Sequence, residues 1–437
     1  MDGKGGIMSS RKLLALLIGL VLLCLLVFTI AIQLEKQTEQ VEKPETPPET
    51  PQLKEGSEQA EVQKETEPPQ TLPPEVEEST EQQPSEVQEQ QGENQQLGQP
   101  EQLAEIKEQG SEPSLRNFAK YCGIAIGTCV SYNPLKFDQN YREILIREFS
   151  VVTPENEMKF EYVHPFRETY NFRLADEIVK FAEENGIKVR GHCLVWHQQL
   201  PSWIIKGEFT REELMSILKE HIYTVVGRYK GRVYAWDVVN EAIADDGSLR
   251  KSIWLEKIGA EYIELAFKWA HEADPNVLLF YNDYGIEEIN RKSNAVYELL
   301  KELLRKGVPI HGVGFQTHLT LERPPNPENV ARNIKRFEEL GLIVEITEMD
   351  IRIREPVTDE ELDKQAEIYS NILKVYLSSS NPRTFIMWGF VDKYSWISYT
   401  FSGYGSATIF DNDYQPKPAY NSLLTILEEC YKGRYVP

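Results

Sequence analysis

Residues Tyr234–Ala242 read YAWDVVNEA, and how this stretch is read decides the fold. Trp236, Val238 and Val239 predict a buried strand. That strand carries Asp237 and ends in Asn240-Glu241. Burying a carboxylate is costly unless it is paired or hydrogen-bonded, so an apolar strand that ends in Asn-Glu is expected to use the pair. The arrangement recurs along the chain. Strand-like runs are predicted at Gly123–Thr128, Val151–Thr153, Lys188–Val195, Val233–Asn240, Val277–Asn282, Gly312–Thr317, Leu342–Thr347 and Thr384–Gly389. Amphipathic stretches separate them. LADEIVKFAEENG (174–186) places Leu174, Ile178, Phe181 and Ala182 at helical spacing and closes on Gly186. Thr210 and Glu213 form a capping-box pattern ahead of another helix. The prolines at 416 and 418 open the last one.

Alternating strands and helices imply a parallel sheet covered by helices. Eight such units in about 300 residues fit an α/β fold, a single (β/α)8 barrel. The rival is an open doubly wound sheet, which calls for a Gly-rich phosphate loop after the first strand. Here that turn reads Gly127-Thr128-Cys129-Val130.

Upstream of the barrel the composition changes twice. Leu13–Ile32 is an apolar run of 20 residues, long enough to cross a bilayer as a helix. Lys4, Arg11 and Lys12 precede it, which places residues 1–12 in the cytoplasm by the positive-inside rule. Ile30-Ala31-Ile32-Gln33 is a poor cleavage site, so an uncleaved signal-anchor is expected at 13–32, with a cleaved signal peptide as the alternative. Residues 33–112 hold 21 Glu, 5 Lys and 10 Pro and no aromatic residue. Such a segment cannot bury enough apolar surface to fold and reads as a disordered, extended linker. It would hold a catalytic domain at 113–437 outside the cell surface. The net charge of −22 is mostly this linker; residues 113–437 carry −8. That balance argues against nucleic acid as a partner. Cys122, Cys129, Cys193 and Cys430 lie outside the anchor, and an oxidising exterior permits a disulfide without fixing which two residues form it.

In a (β/α)8 barrel, chemistry sits at the C-terminal ends of the strands. Those ends here carry Glu155-Asn156 with Lys159, His192 with Trp196 and His197, Asn240-Glu241, Asn282-Asp283-Tyr284, Gln316 with His318, and Glu348 with Asp350. The last strand gives Trp388, with Trp396 in the loop beyond. Strand alternation puts Glu348 with Asp350, Gln316 with His318, His192 with Trp196, and Asp237 with Glu241 on shared faces. Carboxylates from different strands, amides and aromatic platforms suit glycoside hydrolysis. His192 and His197, five apart, would point to opposite faces of a strand. No H-E-x-x-H or G-x-S-x-G occurs. No metal or other cofactor is expected.

PENEMKFE, GHCLVWHQQLPSW, WDVVNEA, FYNDYG, GFQTH, ITEMD and WGFVDKYSW, in this order, resemble glycoside hydrolase family 10 over roughly residues 115–431. Most members are endo-β-1,4-xylanases. The resemblance implies a retaining double displacement on xylan and xylo-oligosaccharides. Glu241 would be the acid/base and Glu348 the nucleophile, supported by Asn240, His318 and Asp350. Glu155, Asn156 and Lys159 would bind the sugar one further from the cut. His192, Trp196 and Gln316 would line the cleaved sugar's site, with Trp388 and Trp396 as floor and wall. In the family this wall disfavours a sugar bearing a 6-hydroxymethyl group. Cys193, Phe160 and Gly285 depart from the residues frequent in the family, and none of them removes a catalytic group. The alternatives are a retaining β-1,4-glucanase or aryl-cellobiosidase, or a non-catalytic polysaccharide-binding surface protein.

Overall fold

The structure, a computed structural model, describes residues 113–434. The expected anchor at 13–32 and linker at 33–112 lie outside the described residues. Among the described residues no helix is long and apolar enough to cross a membrane.

Among the described residues ten strands occur, with helices between them except from β6 to β7: β1 Ala125–Val130, β2 Val151–Pro154, β3 Lys188–Val195, β4 Val233–Asn240, β5 Leu278–Asp283, β6 Gly312–Phe315, β7 His318–Thr320, β8 Ile343–Arg354, β9 Thr384–Met387 and β10 Tyr404–Gly405. β1 pairs with β2 and so on through β6, β6 pairs with β8, β8 with β9, and β9 with β1, every pair parallel. The sheet therefore closes on itself as an eight-stranded barrel. β7 extends β8 on one side, and β10 pairs with it antiparallel. β3 and β4 have the boundaries read from sequence, whereas β8 runs on to Arg354. The helix Arg211–Arg228 starts with the Thr210/Glu213 capping box, and Pro418 opens the helix Pro418–Tyr431.

The barrel interior is layered, and its polarity rises toward the C-terminal ends. Ala235, Phe280 and Ile343 form a small apolar cluster of their own. Above them, Arg190 of β3 pairs with Asp237 of β4 and Glu345 of β8, all three buried. The guanidinium lies 4.4 Å from the centre of the Phe280 ring. His192, Asn240, Asn282, Gln316 and Glu348 form the layer above that.

Strand alternation alone does not give this layering. β4 slips register against β5 between Asp237 and Val239, and β8 slips against β9 between Ile346 and Met349. Each bulge adds a residue and rephases the strand. Asp237 and Asn240 therefore both face inward, three apart, as do Glu345 and Glu348. Alternation predicts one face for Asp237 and Glu241, but the bulge lies between them and Glu241 falls just past the end of β4. Asp237 sits one layer lower and neutralises Arg190. Thr317, at φ 64°, breaks the alternation between Gln316 and His318, yet both line the cleft.

A disulfide joins Cys122 and Cys430, with Cα atoms 5.9 Å apart. It ties the helix Leu115–Tyr121, which precedes β1, to the helix Pro418–Tyr431. Cys129 and Cys193 are free and buried.

Candidate active site

A cleft of about 650 Å³ opens at the C-terminal end of the barrel. Glu155, Asn156, Lys159, His192, Trp196, Asn240, Glu241, Gln316, His318, Glu348, Trp388 and Trp396 all line it. Asp350 does not reach the cleft wall; it is buried behind His318 and Trp396.

Glu348 projects from β8 within the bulge and is almost fully enclosed. Its Oε1 accepts a hydrogen bond from Asn282 Nδ2 at 2.6 Å and lies 3.9 Å from His192 Nδ1. Its Oε2 lies 3.2 Å from His318 Nε2. Burial alone would raise the Glu348 carboxyl, but His192 and His318 outweigh it and hold the group below the usual glutamate range. The other ring nitrogen of His318, Nδ1, is 3.0 Å from Asp350 Oδ2. Burial opposes a charge on this imidazole, yet Asp350 and then Glu348 push it up to about 10. His318 is thus a fixed cation between two carboxylates. Asp350 in turn accepts from the Trp396 indole at 2.7 Å, which fixes the cleft wall.

Glu241 sits just past β4 with φ 57°. Its N–H donates to the Asn282 carbonyl at 2.9 Å, and its carbonyl accepts from Arg250 Nε at 2.8 Å. These two bonds hold a conformation that is unfavourable for a residue with a Cβ. Gln316 Nε2 donates to Glu241 Oε1 at 3.1 Å. His197 Nδ1 lies 3.9 Å from Glu241 Oε2. Because β3 ends at Val195, His192 and His197 do not obey the opposite-face rule. One approaches Glu348 and the other Glu241.

The Asn240 amide can be satisfied in two ways that differ by a half-turn. In one, its oxygen accepts from Asn282 at 3.0 Å and Gln316 at 3.1 Å. In the other, the oxygen accepts from the Trp196 indole at 3.2 Å and the NH2 group donates to the Asn282 carbonyl. In the first, the Asn240 NH2 group also donates to Glu241 Oε1 at 3.3 Å, so donor capacity beside that carboxylate belongs to the first orientation. Trp196 is itself anchored, since the Trp254 indole donates to its carbonyl at 2.7 Å.

On one side of this pair, Lys159 Nζ donates to Gln199 Oε1 at 2.7 Å and Asn156 Oδ1 at 3.3 Å. It lies 4.9 Å from the Trp196 ring centre. Glu155 accepts from the Ser131 hydroxyl, and burial raises its carboxyl against that bond and against Lys159. The Trp388 ring closes the base, edge-on to His192 at 5.2 Å and His318 at 6.3 Å.

Several contributors are assigned no role by the family resemblance, although Asn282, Asp283 and Tyr284 stand at a predicted strand end and Gln199 lies in one of its motifs. Asn282 grips the nucleophile candidate directly, and Gln199 orients Lys159. Arg250 holds the backbone of Glu241 and reaches Tyr284, which also lines the cleft. Asp283 accepts from the Tyr281 hydroxyl at 2.6 Å and pairs with Lys292 at 2.9 Å, while burial drives its carboxyl up to about 7. Trp236, Trp254 and Trp269 are core residues, and Trp203 is half-buried.

The family model for glycosyl hydrolase family 10 matches residues 114–426. The chain is 48% identical over 325 residues to endo-1,4-beta-xylanase B of Thermotoga neapolitana, covering 73% of this chain and 93% of that one. It is 44% identical to a beta-1,4-xylanase of Dictyoglomus thermophilum, over 70% of this chain and 89% of that one. Among solved structures, xylanase 10B of Thermotoga petrophila in complex with xylobiose is 49% identical, with a TM-score of 0.72 over 73% of this chain and 98% of that one. With a closed parallel barrel and a two-glutamate cleft at its C-terminal end, this chain belongs to glycosyl hydrolase family 10.

Proposed function

We propose that this protein is a retaining endo-1,4-β-xylanase displayed at the cell surface. The observation that carries the reading is the amide network between Glu348 and Glu241. Asn282 holds one carboxylate, Gln316 the other, and Asn240 lies between them on β4. Xylanases at 48% and 44% identity support the substrate class.

In this mechanism xylan lies along the cleft with one xylose over Trp388. Glu348, kept ionised by His192 and His318, attacks the anomeric carbon. Glu241 in its acid form protonates the leaving oxygen, and the bond between the two xyloses breaks. The product is a xylosyl ester on Glu348. Water, deprotonated by Glu241, then opens the ester and releases a sugar of unchanged anomeric configuration. Asn240 donates to the 2-hydroxyl, a contact that strengthens as the ring gains oxocarbenium character. In this reading Trp388 and Trp396, which line the cleft, crowd a 6-hydroxymethyl group and so favour xylose over glucose.

Reducing-sugar release from xylan and from soluble cellulose, beside a Glu348→Ala control, tests this reading. Release from xylan far above cellulose, abolished in the control, is expected. Equal release from cellulose would favour the glucanase alternative. Binding without release would favour the non-catalytic one.

Surface display rests on the apolar run Leu13–Ile32 with Lys4, Arg11 and Lys12 ahead of it, and on the acidic linker behind it. Fractionation of cells should leave the activity in the membrane pellet until the linker is cut by protease added from outside. Activity found only in the medium would contradict the anchor.

A further inference from the structure

The catalytic cleft does not end at Glu155 and Asn156. A second cavity of about 590 Å³ shares Glu155, Asn156, Trp396 and Thr400 with it and continues away from the reacting carboxylates. Four aromatic side chains line this extension, Phe137, Tyr394, Trp396 and Tyr399, and two of them are strongly exposed. Tyr399 is 82% exposed and Phe137 is 77% exposed, more than any other large hydrophobic side chain among the described residues. Single exposed apolar residues are ordinary on a protein surface. Two of them on one continuation of a carbohydrate cleft, from segments about 260 residues apart, are a different matter.

The extension is also rigid. Asp138 follows Phe137 and caps the helix Gln139–Glu148 through the Tyr141 N–H. The same carboxylate accepts from the Tyr394 hydroxyl at 2.8 Å and the Tyr414 hydroxyl at 2.6 Å. The loop after β1 is thereby tied to the segment after β9, which carries Trp396 and Tyr399. Such bracing holds the backbone that bears the two rings, which lessens the ordering needed when a ligand stacks on them.

We infer that Phe137 and Tyr399 form a distal xylose-binding platform beyond Glu155, Asn156 and Lys159, on the side of the chain that stays with Glu348 after cleavage. This rests on the xylanase reading and deepens it: the enzyme prefers substrates with at least three xyloses on that side. The sugar's C–H face stacks on the rings, and the exposed Asn133 supplies an amide at the same cavity.

The test compares nitrophenol release by the full chain from 4-nitrophenyl β-xylobioside and 4-nitrophenyl β-xylotrioside. The trioside differs by the one sugar that would reach the platform. The trioside should have the higher kcat/KM by about three- to tenfold, the worth of one aromatic contact. In a Phe137→Ala, Tyr399→Ala double variant that ratio should fall to about one, with the bioside rate within about twofold of wild type. Tyr399→Phe should retain the preference. Both sites are exposed, so the melting temperature serves as the folding control. An unchanged ratio in the double variant would overturn the platform while leaving the xylanase reading intact. No release from either substrate by the wild type would overturn the xylanase reading, and the platform with it.

Discussion

The Glu348 carboxyl occupies a position whose burial favours the neutral acid, and two imidazoles reverse that preference. This makes His318 a positioning residue whose loss has a defined signature. His318→Gln should lower kcat/KM by about ten- to hundredfold, the worth of a charge-assisted hydrogen bond. It should also move the acidic limb of the pH profile upward, because Glu348 loses a cation that favours its charged form. A variant whose rate falls without movement of that limb would contradict this electrostatic role. A layer below, Arg190 answers two buried carboxylates, so Arg190→Met should cost about 3–5 kcal/mol of stability in urea denaturation. A loss under about 1 kcal/mol would show that the layer is not a paired charge network. Burial would raise Asp237, but Arg190 holds it below the ordinary Asp value. Its contribution to stability is therefore present above about pH 4 and is lost as pH falls through its lowered native value. Glu241 and Glu348 were legible from motif order. Arg190 was not. In KVRGHCLV it is one of two cations in a strand, and one partner lies 155 residues away.

At the scale of elements, β3 and β4 were legible to the residue because β-branched runs with polar ends are distinctive. The phase of β4 was not. Val238 and Val239 are both apolar, so the hydrophobic pattern fits either register, and only pairing with β5 fixes the bulge. The consequence is functional: the extra residue brings Asn240 into the layer of Asn282 and Glu348. Glycine has its own part here. A Cβ on Gly314 would lie 2.2 Å from Asn282 Oδ1. Gly314→Ala should therefore cost about 1–3 kcal/mol of stability by overpacking and lower kcat by displacing Asn282 from Glu348. Thermal unfolding and initial rates check both, and unchanged values would mean that Asn282 tolerates displacement.

Across the whole molecule, eight strand–helix units announced a closed barrel, but nothing local announced how the helix before β1 is joined to the helix Pro418–Tyr431. Cys122 and Cys430 are 308 residues apart, and four cysteines leave the pairing open on sequence alone. Cys430→Ser should lower stability by about 2–4 kcal/mol while kcat/KM on xylan stays at the wild-type value. An unchanged melting temperature would contradict a stapling role. The distal platform was equally hidden, since Phe137 and Tyr399 lie in segments that meet only once the barrel closes. The central claim is that xylan is cut through a covalent intermediate on Glu348. Incubation with a 2-deoxy-2-fluoro-xylobioside bearing a good leaving group, followed by peptide mass spectrometry, tests it most directly. One fluoroxylobiosyl group per chain, on Glu348, is expected. Label on Glu241 instead, or no label in an enzyme that still hydrolyses xylan, would contradict it.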